Sequence, residues 1–379
     1  MGLDIEQIWQ ARAELAAEAI EDRHAHKVWR LPRTNIAEIA WPPHSHPFFG
    51  SWHYWWQAHY LNCLVTAAHR DPSRKHAKQI ALTVRGIRTR QLLPLERNKL
   101  YDDRTWLALA LDRARKFHGA PKSRPLRKLE ESIIAAQTSP VGAVPWQVKS
   151  EFFNVPTNGP VAIMLARNGE IAAAKQLADW MWDTLRNEQG LIMDGWHRDN
   201  NEIETAVYPY CQGVIIGAYT EIGLALCSGG TVTPAAQECF GRVHELIIAV
   251  HEHMANARGV LHWETSGGDA GLFQGILVDY LAQAVARIPE YDAAQTQARR
   301  LAMRMVIASA EALWRHRLEV DGLPLFSADW TADAHFPVAA ATDKAPVVAE
   351  RDLSVQLSGW LLLEAAATVT HAYMVGRKS

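Results

Sequence analysis

The chain has 379 residues, 48% of them hydrophobic and 21% charged, a balance that excludes intrinsic disorder and supplies ample material for a large core. Lys and Arg number 39 against 41 Asp and Glu, a formal net charge of -2, so no polybasic surface is expected and neither nucleic acid nor anionic lipid is an expected partner. The longest greasy stretch, GVIIGAYTEIGLALC, is broken by Glu221, which excludes a membrane-spanning segment.

Helical periodicity runs almost end to end, and runs of alternating β-branched and aromatic residues are missing. The pattern predicts helices at 4–27, 51–70, 73–92, 102–118, 123–138, 157–168, 170–187, 205–227, 233–256, 271–287, 290–316 and 351–373, an all-α chain. The first, EQIWQARAELAAEAIEDR, has one charged face, and Asp4 and Glu6 stand where a secretion signal carries positive charge, so a cytoplasmic location is expected. The second, WWQAHYLNCLVTAA, is apolar around most of its circumference. This alternation persists: TWLALALDRA, GPVAIMLA, QGVIIGAYTEIGLAL, GLFQGILVDYLAQA and LSVQLSGWLLLEAAATV are apolar, while their neighbours keep a charged stripe. Helices buried on both sides alternate with helices facing solvent, which predicts six helical hairpins closed into an (α/α)6 barrel, a single domain over residues 1–379.

Polar and aromatic clusters sit at the starts of the predicted inner helices: Trp52 to Trp56, Tyr101-Asp102-Asp103, Asn154 to Gly159, Tyr208 to Gly213, and Gly267 to Gln274. Parallel inner helices would gather them at one end of the ring, as a single cleft requires. The 15 Trp outnumber Phe and Tyr at 9 each, and several lie beside Gly, His, Asp or Asn, where an indole can stack on the C–H face of a sugar. For any one Trp, core filling is the commoner role.

Tyr101-Asp102-Asp103 is the sharpest local feature. Aspartates in a first helical turn usually complement free N–H groups and the helix dipole. Here they open a helix too apolar for the outside, one turn before Trp106. Paired carboxylates are the machinery of glycoside hydrolysis, and neighbours on a helix can bring their carboxyls to about 5–6 Å, the spacing of a retaining mechanism. Asp194, Glu204 or Asp269 could instead partner one of the pair. Like-charge repulsion is expected to keep one carboxyl protonated.

YDDRTWLALALDRA resembles the Tyr-Asp-Asp-x-x-Trp signature of glycoside hydrolase family 76, the endo-α-1,6-mannanases, which are (α/α)6 barrels. WWQAHYLNCLVTAA, PWQVKSEFFNVPTNGPVAIMLARN, YPYCQGVIIGAYTEI and LFQGILVDYLA follow in the family's order, so the resemblance spans roughly residues 50 to 285. It implies Asp102 as nucleophile, Asp103 as acid/base, retention of configuration, and an α-1,6-mannan or its oligosaccharides as substrate. The sugar-contacting candidates are Trp55, Trp56, Tyr101, Trp146, Asn158, Tyr210, Gln212 and Gln274. The chain departs from the family where Cys211 replaces Asn in Tyr-Asn-Gln-Gly and Gln274 replaces Lys before Gly275.

No cofactor or metal is expected. Histidines two apart, as in His24/His26 and His251/His253, diverge on a helix, and the four cysteines lack zinc spacing, so they read as reduced, mostly buried thiols. Loop histidines His44 and His46 are sugar-contact candidates, and Trp330 in the long segment from Asp321 to Glu350 is a candidate cleft wall. Two alternatives stand beside the hydrolase: a sugar isomerase or epimerase using His53, His197 or His262, and a non-catalytic carbohydrate-binding protein.

Overall fold

A computed structural model describes residues 4–43, 52–138, 141–337 and 348–376. Twelve α-helices are present among them: α1 (Ile5–Arg23), α2 (Tyr54–Arg70), α3 (Arg74–Gln91), α4 (Tyr101–Phe117), α5 (Arg124–Ile134), α6 (Val155–Arg167), α7 (Ile171–Leu185), α8 (Pro209–Leu226), α9 (Pro234–Met254), α10 (Phe273–Arg287), α11 (Ala293–His316) and α12 (Leu353–Gly376). The even-numbered helices pack in the cycle α2–α4–α6–α8–α10–α12 and back to α2, while the odd-numbered ones lie against their outer faces. This is the predicted barrel. The apolar circumference of the even helices explains the sorting: in α6 every residue from Val155 to Ala166 is buried, whereas in α3 only His76, Ile80, Thr83, Gly86 and Ile87 are.

Two devices bring the inner helices together. Glycines stand where neighbours approach closest, since a Cβ on Gly275 would lie 2.6 Å from Ser358 Cα and one on Gly213 would lie 2.9 Å from Leu277 Cα. Buried amides then tie the helices to the extended segments between hairpins. Gln57 of α2 both accepts from the Ala37 N–H and donates to its carbonyl, and Gln356 of α12 does the same with Phe326. Each amide pairs its oxygen and one N–H with a peptide unit, and its second N–H goes to a further carbonyl, that of Trp52 for Gln57 and that of Glu350 for Gln356.

Among the described residues there are also seven strands of two or three residues, too short to show as periodicity in the sequence. They form the ribbons β1 (Ala25–His26) with β2 (Ile36–Ala37), β3 (Phe152–Asn154) with β4 (Gly195–His197) and β5 (Glu202–Glu204), and β6 (Leu318–Val320) with β7 (Leu323–Leu325). The first ribbon ends α1 at Arg23, earlier than its sequence pattern suggests. The second, in which Phe153 pairs with Trp196, leads directly into the start of α6. No helix among the described residues is long and apolar enough to cross a membrane.

Candidate active site

Asp102 and Asp103 occupy the first turn of α4, behind Leu100 as the capping residue. Asp102 partly plays the local role expected of such a residue, its Oδ1 accepting the Asp103 backbone N–H at 2.7 Å. Its other oxygen accepts the indole N–H of Trp146 at 3.0 Å. Trp146 is itself fixed by backbone bonds on both sides: its N–H donates to the Phe152 carbonyl and its carbonyl accepts from the Tyr101 N–H, each at 2.8 Å. Asp103, only 6% exposed, accepts instead from Asn98 Nδ2 at 2.6 Å. Asn98 is held through its Oδ1 by the Leu100 N–H and through its carbonyl by Arg104. The two carboxyls are thus held by two segments that pair with each other at the Leu100–Gln147 bridge, Asp102 by the 141–151 loop and Asp103 by the segment leading into α4.

Burial raises the pKa of both acids, to different extents. For Asp102 the penalty is opposed by the N–H donors of Asp103 and Trp146. For Asp103 burial is reinforced by the charge of Asp102, with only Asn98 opposing, so Asp103 holds its proton to higher pH. Two further acids complete the electrostatics. Asp194, just before β4, is pushed up to about 7 by burial and by the charges of Glu204 and Asp102, with the Cys211 thiol 3.8 Å away as its donor. Asp269, before α10, is held below the usual carboxylate range: burial works against ionisation, but His53 and the indoles of Trp56 and Trp55 outweigh it. Both indole N–H groups reach Asp269 Oδ1, at 3.0 Å from Trp55 and 2.9 Å from Trp56.

The aromatic residues divide into cleft and core. Tyr210 is half-buried and stacks on Phe273 with ring centroids 3.9 Å apart, and Phe273 also meets Tyr208 and Trp55. Trp55 and Trp146 are half-buried, whereas Trp56 is 3% exposed and stacked on His53, a core residue rather than a sugar platform. Tyr101 is half-buried with the Arg104 guanidinium over its ring, 4.3 Å from the centroid. Trp330 is buried in the core, so the cleft wall expected there is absent; its neighbour Asp329 pairs with His262 at 3.6 Å.

Three of the amides expected to meet sugar are placed otherwise. Asn158 is fully buried and binds the Val144 N–H and carbonyl, and Gln212 is fully buried and binds those of Ile192. They serve the strand-mimicking role of Gln57 and Gln356. Gln274 is also buried, with its Oε1 lacking a partner. His53, His197 and His262 do not converge: His53 faces Asp269, His197 stacks on Phe152, and His262 pairs with Asp329. His44 and His46 lie outside the described residues. Cys63, Cys211 and Cys239 are buried and Cys227 half-buried, all as free thiols. Asn98 carries no signal in the sequence, since a lone Asn in a non-periodic stretch has no pattern to mark it. Among the described residues no group of three His, Cys, Asp or Glu stands ready to hold a metal ion.

The model of glycosyl hydrolase family 76 matches residues 12–344. The chain belongs to this family. As a glycoside hydrolase it is neither the isomerase nor the non-catalytic sugar binder that the sequence left open. A search of curated protein sequences returns no match. Among solved structures the chain is similar to an α-1,6-mannanase of Salegentibacter sp. HEL1_6, an inactive variant with two adjacent aspartates changed to asparagine, in complex with α-1,6-mannotriose; identity is 22%, TM-score 0.74, with 95% of this chain and 99% of that one covered. It is similar also to the Lin0763 protein of Listeria innocua, at 21% identity and TM-score 0.77 over 96% and 98% of the two chains. A family 76 mannosidase of Bacteroides thetaiotaomicron superposes with TM-score 0.72 at 14% identity over 96% and 99%. At these identities the likeness is one of fold.

Proposed function

We propose that this family 76 enzyme is a retaining hydrolase of α-1,6-linked mannose, with Asp102 as nucleophile and Asp103 as acid/base. The reading is carried by the unequal environments of the two adjacent carboxyls. Asp102, accepting two N–H donors, is the easier to ionise; Asp103, buried beside that charge, keeps its proton.

In the first step Asp102 attacks the anomeric carbon as the glycosidic C–O bond breaks, and Asp103 delivers its proton to the leaving oxygen. The product is a glycosyl ester on Asp102 and a shortened glycan. In the second step Asp103, now ionised, removes a proton from water as that water attacks the same carbon. The ester bond breaks, Asp102 is released and configuration is retained overall. The Tyr210–Phe273 pair and the half-buried Trp55 and Trp146 suit the apolar faces of hexose rings. The mannose and the linkage come from the likeness to the Salegentibacter α-1,6-mannanase, whose inactive variant also changes an adjacent aspartate pair.

The test is incubation of the purified protein with α-1,6-manno-oligosaccharides while NMR follows the newly formed reducing end, with Asp102→Asn as control. Release of α-mannose ends, lost in the variant, is the expected result. Initial release of the β anomer would overturn the retaining assignment, and no cleavage by correctly folded protein would overturn the substrate.

A further inference from the structure

The net charge of -2 conceals a strong asymmetry. Helix α3 carries Arg74, Lys75, Lys78, Arg85, Arg88 and Arg90 and no Asp or Glu. Arg74, Lys78, Arg85 and Arg88 are exposed and spaced by four, seven and three residues, so they share one face of a helix about 27 Å long. The turn from Val28 to Arg30 packs against α3 and adds exposed Lys27, Arg30 and Arg33. Lys27, Trp29, Arg30 and Arg90 line one groove of about 550 Å³. Lys75 pairs with Glu21, but among the described residues no carboxylate pairs with Lys78, Arg85, Arg88 or Arg30. Thus the sequence-level expectation that no basic surface exists is corrected: the average over the chain hid it.

The stripe ends in an apolar tip. Leu92 is 74% exposed with φ of 58°, and Leu93 is 60% exposed. An adjacent pair of leucines in that state finds no use in contact with a soluble polyanion, which offers phosphate, sulfate or hydroxyl groups. Leucines beside arginines and lysines match a lipid interface, where anionic headgroups meet the cations and the upper acyl region receives the side chains. The tip also lies at the cleft end of the ring, since Leu93 leads through residues 94–100 directly into the first turn of α4 and Asp102.

We propose that the α3 face, with Leu92 and Leu93 as its inserting tip, docks the enzyme peripherally on an anionic membrane surface. Docking there sets the cleft mouth beside the bilayer, where a glycan carried on the membrane would be within reach. The contact lies outside the substrate cleft and is independent of which glycan is cut.

The experiment is co-sedimentation of the purified full chain with vesicles of phosphatidylcholine alone and of equimolar phosphatidylcholine and phosphatidylglycerol, at low and high salt. Binding to the anionic vesicles only, weakened by salt, is expected. The combined variant Lys78→Glu, Arg85→Glu, Arg88→Glu is expected to lower the partition coefficient by roughly 100-fold, and Leu92→Ser with Leu93→Ser to lower it without changing the salt dependence. Circular dichroism and hydrolysis of soluble substrate are expected to match wild type in both variants. Equal binding to both vesicles, no binding to either, or full binding by the charge-reversed variant would overturn the proposal. So would retention on heparin or DNA that exceeds binding to anionic vesicles and is unaffected by the leucine changes, an outcome that assigns the stripe to a soluble polyanion.

Discussion

The indole N–H of Trp146 reaches Asp102 Oδ2 at 3.0 Å, so a residue 44 positions downstream favours the ionised form of the first carboxyl of the pair. A hydrogen bond to a charged group contributes about 1.5–3 kcal/mol. Trp146→Phe, which keeps the ring and removes the donor, is therefore expected to raise the pKa of Asp102 and move the acidic limb of the kcat/KM profile up by about one pH unit. An unmoved limb would mean that another group governs it.

Asp103 is expected to destabilise the folded enzyme at neutral pH. Its folded pKa lies above its unfolded value because burial and the Asp102 charge penalise ionisation. The folded state therefore binds more protons than the unfolded one at intermediate pH, and stability is lost as pH rises from the unfolded value near 4 through the folded one. Asp103→Asn is expected to cut activity by about 10²–10⁴-fold. The same change is expected to raise Tm at neutral pH by a few degrees, with a much smaller gain at acid pH. Thermal scans across pH test the sign.

Asp269 faces the same cleft as an ionised acid, and its charge works against ionisation of both Asp102 and Asp103. Asp269→Asn is expected to lower both limbs of the pH–rate profile. The companion change Trp55→Phe removes one of its indole donors without removing its charge. A profile that moved equally in the two variants would point to disturbed geometry instead of lost charge.

Two glycines test the packing of the barrel. Gly275→Ala places a methyl 2.6 Å from the Ser358 Cα and is expected to destabilise by about 1–3 kcal/mol in urea unfolding. Gly241→Ala in α9 meets nothing within 4 Å and is expected to stabilise by about 0.5–1 kcal/mol. Similar effects at both sites would show that close approach of α10 and α12 is not what fixes Gly275.

Burial on two sides leaves a mark on composition, which is why the ring could be read from the sequence: α6 and α8 had few polar residues to place outward. The Asp pair was legible for the same reason, as acids opening an apolar helix. Asn158 and Gln212 were misread because an amide at the head of an inner helix looks alike whether it faces a ligand or a peptide group. Their partners, Val144 and Ile192, lie 14 and 20 residues away in segments with no pattern of their own. Asn98 went unseen because its contact with Asp103 depends on how the 98–100 turn enters α4. The α3 stripe was lost in a sum over the whole chain, where a helix without acids is cancelled by acids elsewhere.

The ring closes through α12, which packs against both α10 and α2, while α1 lies on its outer side. During synthesis α2 leaves the ribosome almost 300 residues before its second inner neighbour exists. The nascent chain must therefore present two greasy edges, on α2 and on α10, until the closing helix emerges. Chaperone demand should peak late, and a stop codon shortly before Leu353 would leave an open, adhesive crescent instead of a slightly shorter enzyme.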